Sequence, residues 1–409
     1  MIPSTPLTLK DVAEIIMGQS PAGEDCNREG LGLPLLNGPT EFGPSHPHPT
    51  QFTTDPKKRA LTGDLLFCVR GSTTGRMNWA DQEYAIGRGI AAIRHKLKPK
   101  LQPLVRAVIE QHLPALLQAA TGSTFPNVSG PQLASIPFPS LKPSAAVAIA
   151  SILGALDEKI ELNRRMNETL EAIARAIFKD WFVDFGPTRA KMEGRGPYLA
   201  LDIWSLFPDR LDDEGKPEGW KREPLGTHMS NLDSKRVPVS GGERAKRQGP
   251  FPYHGATGVM DHIDAYLFDG IYLLVGEDGS VVRENGIAFT QYVWGKIWVN
   301  NHAHVLQGKG SVSTEQLLLY FQHEVVTPYI TGAVQLKLSQ GRMNAMPFIY
   351  AGPDVCQAFS NTVAPFFAKY RANVDESQSR AAMRDLLLPK LMSGEVRVKE
   401  AEKLIGEAA

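Results

Sequence analysis

Cysteine is scarce: Cys26, Cys68 and Cys356 are the three in 409 residues, widely separated and odd in number. That excludes a disulfide framework and gives no zinc-ligand spacing, which fits a reducing compartment. Long apolar runs are also missing. No stretch approaches the ~20 residues that span a bilayer, and the opening M-I-P-S-T-P-L-T-L-K has no signal-peptide core, so a cytoplasmic protein is expected. An excess of one charge is absent too. Lys+Arg and Asp+Glu are both 44, a formal net charge of zero, so any polyanion would have to be held by local patches. No G-x-x-x-x-G-K-[ST] occurs, which excludes a P-loop motor. Pro250-Phe251-Pro252-Tyr253 lacks the Asn that an amino-methyltransferase box needs. His46/His48 and His302/His304 have no Cys or acidic pair at ligand spacing, so they read as strand or loop histidines. No catalytic residue, metal or cofactor is expected in this chain.

What is present is an ordinary globular balance, 42% hydrophobic and 22% charged, long enough for two or more domains with their own cores. The longest coherent stretch starts at Ser144, an N-cap after Pro143, and runs without proline to the Gly186-Pro187 stop. Forty helical residues make a rod of roughly 60 Å. Its apolar positions step by threes and fours through Leu153, Leu156, Ile160, Asn163, Asn167, Leu170, Ala174, Ile177 and Trp181, a heptad seam that demands a partner helix. Asn163 and Asn167 on that seam set register if buried, or face outward where the seam is irregular.

A second such stretch begins at Asp354, with Val363, Phe366, Tyr370, Asn373, Ser377, Leu387 and Leu391 on its seam. Leu153 and Val363, Ile160 and Tyr370, Asn163 and Asn373, and Trp181 and Leu391 are each 210 residues apart. The same offset relates the segment from Gly122 to Ser129 to that from Gly332 to Ser339, and Pro137-Phe138 to Pro347-Phe348. The chain is a duplicated unit, each copy a globular part followed by a long helix.

The run L-D-E-K-I-E-L-N-R-R-M-N-E-T-L-E-A-I-A-R-A-I-F-K-D-W-F-V-D-F resembles the central helix of the DNA-specificity subunit of type I restriction-modification enzymes. L-L-L-P-K-L-M-S-G-E-V-R-V, from Leu386 to Val398, resembles the distal conserved region of that family, and T-G-A-V-Q-L-K-L-S-Q the end of its recognition domains. Arg380 and Arg384 depart from the pattern by interrupting the second seam.

The resemblance implies an α+β protein with two target recognition domains in tandem, separated by two long antiparallel helices that form an intramolecular coiled coil. The expected layout is recognition domain one over 1–143, the central helix over 144–185, a charged linker over 186–219, recognition domain two over 220–353, and the second helix with its tail over 354–409. Short apolar strands such as D-L-L-F-C-V-R-G and G-I-Y-L-L-V-G-E-D-G-S alternate with Gly/Pro breaks in both domains, as an α+β reading requires. The family further implies double-stranded DNA as ligand, two DNA methyltransferase subunits using S-adenosylmethionine, an ATP-driven restriction and translocation subunit, and helices that space the two half-sites. A coiled-coil scaffold or dimerisation protein that reads no DNA is the competing class.

Candidate DNA contacts follow from residue type. Lys235, Arg236, Arg244, Lys246 and Arg247 lie on one Gly/Pro-rich stretch with Tyr253 and His254 behind it, a set suited to phosphates and guanine edges. Alone, such a run is more often a solvated surface loop; the resemblance favours contact. In the first copy Gln19 and the loop bearing Arg70, Ser72, Thr73, Thr74 and Arg76 are the counterparts. The repeated tails add Thr124 and Asn127, then Gln335, Lys337, Gln340 and Arg342. These tails equally suit turns that dock each domain on its helix, and the sequence leaves both readings open.

Overall fold

The computed structural model describes residues 7–120, 126–332 and 334–407. Backbone contacts divide the chain into two compact units, 1–164 with 375–409, and 165–374.

In the first unit a four-stranded antiparallel sheet, ordered Ala13–Met17, Ile90–His95, Leu65–Cys68 and Met77–Trp79, lies beside a smaller five-stranded mixed sheet. The strand Leu65–Cys68 is buried at all four positions because both its faces are covered. Leu65 and Phe67 join the core under the helix Gln102–Gln118, while Leu66 and Cys68 join Leu36, Tyr84 and Ile86 on the other side. Its continuous apolar run therefore reflects two-sided burial rather than a helix. In the second unit a six-stranded sheet centres on Phe268–Gly276, flanked by Thr290–Val299 and Ala303–Gly308, with the helix Thr314–His323 packed on it.

The first long helix spans Pro143–Phe182 and the second Pro353–Ser393, 40 and 41 residues. Each unit contains a stretch of both, running antiparallel. In the first unit Asp157 meets Arg384 and Asn163 meets Glu376. In the second, Asn167 receives a bond from the Asn373 amide at 2.8 Å, and Trp181 packs against Phe359. Leu153, Leu156, Asn163, Asn167, Trp181, Val363, Asn373, Leu387 and Leu391 are buried; Ile160, Leu170, Ile177, Phe366 and Tyr370 are half-buried. The seam asparagines thus face inward. Asn163 to Ser377 at 3.3 Å and Asn373 to Asn167 at 2.8 Å are one and the same pair in the two copies, since both partners shift by 210. Buried amides that find each other in one alignment only penalise a one-turn slip.

Around Asn163 the first unit carries charge instead of apolar side chains. Glu376 accepts from the Asn163 amide at 2.8 Å and from Arg380 at 2.6 Å, with Lys159 at 3.4 Å. Burial alone would raise the Glu376 carboxyl; the Asn163 amide and then the Arg380 guanidinium hold it at about 2 instead. A carboxyl depressed on folding stabilises above its unfolded range, ~4.3, and loses that contribution as pH falls toward 2. The variant Glu376→Gln is therefore expected to flatten acid unfolding in that window, by up to one linked proton, in denaturant titrations across pH.

The stretch 186–219, expected as a linker, is instead folded onto the second unit. It carries the helices Gly186–Met192 and Leu201–Trp204, and Phe207 stacks edge-on against Trp181 at 5.0 Å between ring centroids. Its aromatic residues are spaced too irregularly to show a period, so their burial was not visible in the pattern.

Candidate nucleic-acid interface

At one end of the four-stranded sheet, main-chain bonds gather four separate segments of the first unit. The Gln19 N–H donates to the Ile86 carbonyl at 2.9 Å, Gly18 to Ile90 at 2.9 Å, Val69 to Gly89 at 2.9 Å, and Val128 to Val69 at 2.8 Å. Arg70 pairs with Asn127 across an isolated bridge. Segments 18–20, 69–76, 87–89 and 126–128 thereby share one edge, and Gln19, Arg70, Ser72, Thr73 and Asn127 are all exposed there. Gly71 and Gly75, at φ +101° and +94°, let the 69–76 loop turn back on itself, and Gly75 donates to the Cys68 carbonyl at 2.9 Å to close it. The Thr74 hydroxyl lies 2.8 Å from both the Gly71 and Pro126 carbonyl oxygens, donating to one at a time, so it ties the loop to the tail. Arg76 donates to the Phe42 carbonyl at 2.6 Å and the Gly43 carbonyl at 3.2 Å, which spends much of its donor capacity on holding the neighbouring loop. Arg88 sits exposed in this cluster and was missed from sequence; a lone Arg between two glycines was the signal. Among the described residues neither Arg70 nor Arg88 has a carboxylate within salt-bridge distance. Thr124 lies outside the described residues.

The second unit repeats the arrangement. The Leu338 N–H donates to the Glu277 carbonyl at 2.9 Å, Glu277 to His302 at 2.9 Å, Gly279 to Leu336 at 3.0 Å, and Asp278 bridges Lys337. Asn127 and Lys337 are 210 apart, as are Val128 and Leu338, so the tail of each copy is stitched to the loop after its central strand. Lys235, Gln335 and Lys337 are exposed in the second unit, with Lys337 Nζ 3.3 Å from Glu277. Gln340 and Arg342 are exposed on the short helix Gln340–Asn344 that follows the tail.

The basic stretch differs from expectation. Arg236 is half-buried, donating to Glu277 at 2.7 Å and to the Ala303 carbonyl at 2.7 Å, with Asp233 at 3.5 Å. Arg244 pairs with Asp261 at 3.0 Å and lies over the Tyr253 ring at 4.7 Å; Arg247 pairs with Asp264 at 2.8 Å over Trp298. Three of the five cations are thus neutralised by acids that the sequence places far along the chain. Lys235 and Lys246 are exposed and carry no ion pair among the described residues. Tyr253 is 1% exposed and its hydroxyl lies 3.0 Å from the Val239 amide, while His254 is 7% exposed beside Gln291. Neither side chain faces a ligand; both are core, and burial pushes the His254 imidazole below its ordinary value.

Asp233, Glu277 and His304 converge closely enough to suggest a cation site. Both His304 nitrogens, however, face oxygen acceptors, Asp233 at 2.5 Å and the Leu338 carbonyl at 2.8 Å, and the Arg236 guanidinium already bridges the two carboxylates. Burial would raise Asp233; the His304 contact holds it below the usual range. With both His304 nitrogens turned to acceptors and Arg236 between the carboxylates, the cluster is held together by its own ion pairs and hydrogen bonds and anchors the tail at Leu338.

Residues 2–172 match the family described as type I restriction modification DNA specificity domain. The type I restriction enzyme MjaIX specificity subunit of Methanocaldococcus jannaschii is 28% identical over 301 residues, 68% of this chain and 65% of its own length. The HindI specificity subunit of Haemophilus influenzae is 22% identical over 407 residues, covering 83% of this chain and 88% of the relative. Two further relatives from the same organisms, 32% and 34% identical, are matched over 33% and 38% of their own length, so the chain spans little more than a third of them. The crystal structure of a type I restriction-modification S subunit from M. genitalium superposes with a TM-score of 0.55 over 95% of both chains at 17% identity, which is a likeness of fold.

Proposed function

We propose that this chain, whose residues 2–172 match the type I restriction modification DNA specificity domain, reads a bipartite double-stranded DNA target, one half-site per recognition domain, for a complex whose chemistry lies elsewhere. The observation that carries the reading is the repeated edge: in both copies the loop after the central strand, the tail before the long helix and a third loop are bound into one exposed polar surface. Main-chain bonds make the frame, and the side chains displayed on it differ. The first copy presents Arg70, Arg88 and Asn127; in the second, Lys337 is exposed at the place of Asn127, while Asp278, at the place of Arg70, is half-buried and paired with His302. Two frames with unlike donors and acceptors suit two unlike half-sites. A scaffold that reads no DNA has no use for that difference.

In this reading Arg70 and Arg88 of the first domain donate to phosphates or guanine edges, with Gln19, Ser72, Thr73 and Asn127 beside them; in the second, Lys235, Lys246, Gln335 and Lys337 do so, with Gln340 and Arg342 as outlying phosphate contacts. Two methyltransferase subunits would supply S-adenosylmethionine chemistry, and an ATP-driven restriction subunit would join them; the chain's own part is recognition and assembly. The test is binding by the complex with its methyltransferase subunits, measured as fluorescence anisotropy at several salt concentrations. Lys235→Ala with Lys246→Ala is expected to lower the slope of log K against log salt by about 0.9 for each lysine that meets a phosphate. Arg236→Ala, by contrast, removes the guanidinium between Glu277 and Asp233, which keep Lys337 and His304 as partners, and should cost about 2 kcal/mol of folding stability with little change in slope. An unchanged slope in the lysine pair together with wild-type methylation after Arg70→Ala and Arg88→Ala would sink the assignment.

A further inference from the structure

The charged layer on the helix pair of the first unit has an oddity that the duplication exposes. Asp157 and Lys159 on the first helix find opposite charges on the second: Arg384 donates to Asp157 at 2.7 Å, and Glu376 lies 3.4 Å from Lys159. The four side chains are 18 to 34% exposed, with Asp157 at 20% and Arg384 at 18%, so the pairs are partly withdrawn from water. Glu110 adds a further negative charge facing Arg384, and Arg380 sits between, paired to Glu376 at 2.6 Å. The offset of 210 says which residues the first helix itself would offer in those places. Positions 376, 380 and 384 correspond to Met166, Leu170 and Ala174. A first helix laid antiparallel against a second copy of itself would therefore set Asp157 and Lys159 against uncharged side chains.

The amide pairing does not make that distinction. Ser377 corresponds to Asn167, so Asn163 finds a hydrogen-bonding partner in either arrangement. The apolar seam does not make it strongly either, because Leu387 and Leu391 correspond to Ile177 and Trp181, both apolar. Charge is what differs between the two partners. We propose that Asp157 and Lys159, matched by Glu376 and Arg384, are a selectivity device that commits the first long helix to this chain's own second helix and against the equivalent helix of a second copy. A partly buried ion pair adds little stability over an apolar replacement, but a buried charge left without its partner is costly, which is the asymmetry that selects between partners. Tethering already favours the partner helix of the same chain, and with duplicated seams the charges add discrimination where the apolar pattern supplies little.

The experiment uses the full chain in two differently tagged forms, mixed, briefly destabilised with denaturant and returned to buffer, then assayed for doubly tagged complexes and by sedimentation. The wild type is expected to stay monomeric and unexchanged. Combining Asp157→Ala, Lys159→Ala, Glu376→Met, Arg380→Leu and Arg384→Ala gives an uncharged seam, expected to keep a similar melting temperature while the doubly tagged fraction rises at least about tenfold. Asp157→Arg with Arg384→Asp, combined with Glu110→Gln so that no carboxylate faces the new aspartate, reverses one pair in cis and should behave as wild type even if the neutral variant folds poorly. A wild type that exchanges freely, a folded neutral variant that remains strictly monomeric, or a charge-reversed chain that dimerises would each overturn the proposal.

Discussion

A chain ending after Glu218, expressed with the methyltransferase subunits, is expected to dimerise and to direct methylation to a palindromic bipartite site, each half equal to the first half of the natural target. Residues 1–218 hold one recognition domain, the first helix and the segment that packs Phe207 on Trp181. Ending nearer Pro187, as the bare repeat suggests, would strip that cover from the seam. With no second helix in the chain, another copy of the first is the remaining partner: Asn163 of one copy meets Asn167 of the other, twice, in place of the present bonds to Ser377 and from Asn373. The charge selectivity proposed above makes this dimer weaker than the natural pairing without forbidding it. Methylation sequencing reads the target and sedimentation the assembly; an asymmetric target, or a stable monomer, would show that the helices are not equivalent.

The second large effect lies in the core of the second unit. Trp181→Ala should destabilise it by about 4 kcal/mol, the range for removing a large buried aromatic. Trp181 is 1% exposed and stands within 5.0 Å of Phe207 and 5.7 Å of Phe359, centroid to centroid, with Phe182 and Trp220 completing the cluster. Collapse of the surrounding rings cannot fill the indole's volume, because they are already fixed edge-to-face. Urea denaturation monitored by circular dichroism measures the loss, and a change below about 1 kcal/mol would mean that the rings repack. Leu391, the matching position 210 residues on, is a smaller side chain buried in the core of the first unit, so Leu391→Ala should cost less, about 3 kcal/mol.

These two seams were legible in the sequence because a 3.5-residue repeat survives only where one face is continuously buried. The first helix begins at Pro143, where Pro143-Ser144 signalled it, and ends at Phe182, four residues before the Gly186-Pro187 stop, while the second begins at Pro353, one residue before the expected Asp354. Arg380 and Arg384 blurred the second seam, and the structure explains them through Glu376 and Asp157, groups that no periodicity brings together. Of the candidate contacts, Gln19, Arg70 and Asn127 lie on one edge of the fold, where glycines that permit tight turns mark the loops. The basic run misled for an electrostatic reason: Arg236, Arg244 and Arg247 find Glu277, Asp261 and Asp264, acids 17 to 41 residues away, and only the fold reveals the pairing. Tyr253 and His254 misled for a packing reason, since a strand inside a six-stranded sheet buries even its polar residues when a carbonyl or amide is within reach.

One feature of the loop edge bears on how such a protein changes over generations. The bonds from Val128 to Val69 and from Leu338 to Glu277 join main-chain atoms, and a peptide group is the same whatever residue carries it. At the adjoining bridges one copy has Arg70 opposite Asn127 and the other Asp278 opposite Lys337, so opposite charges already occupy matching places without loss of the bridge. The bridge itself therefore survives substitution, while side-chain contacts such as Asp278 with His302 and Lys337 with Glu277 are remade with each change. A lineage can in that way alter the donors and acceptors of the edge one residue at a time while its frame persists.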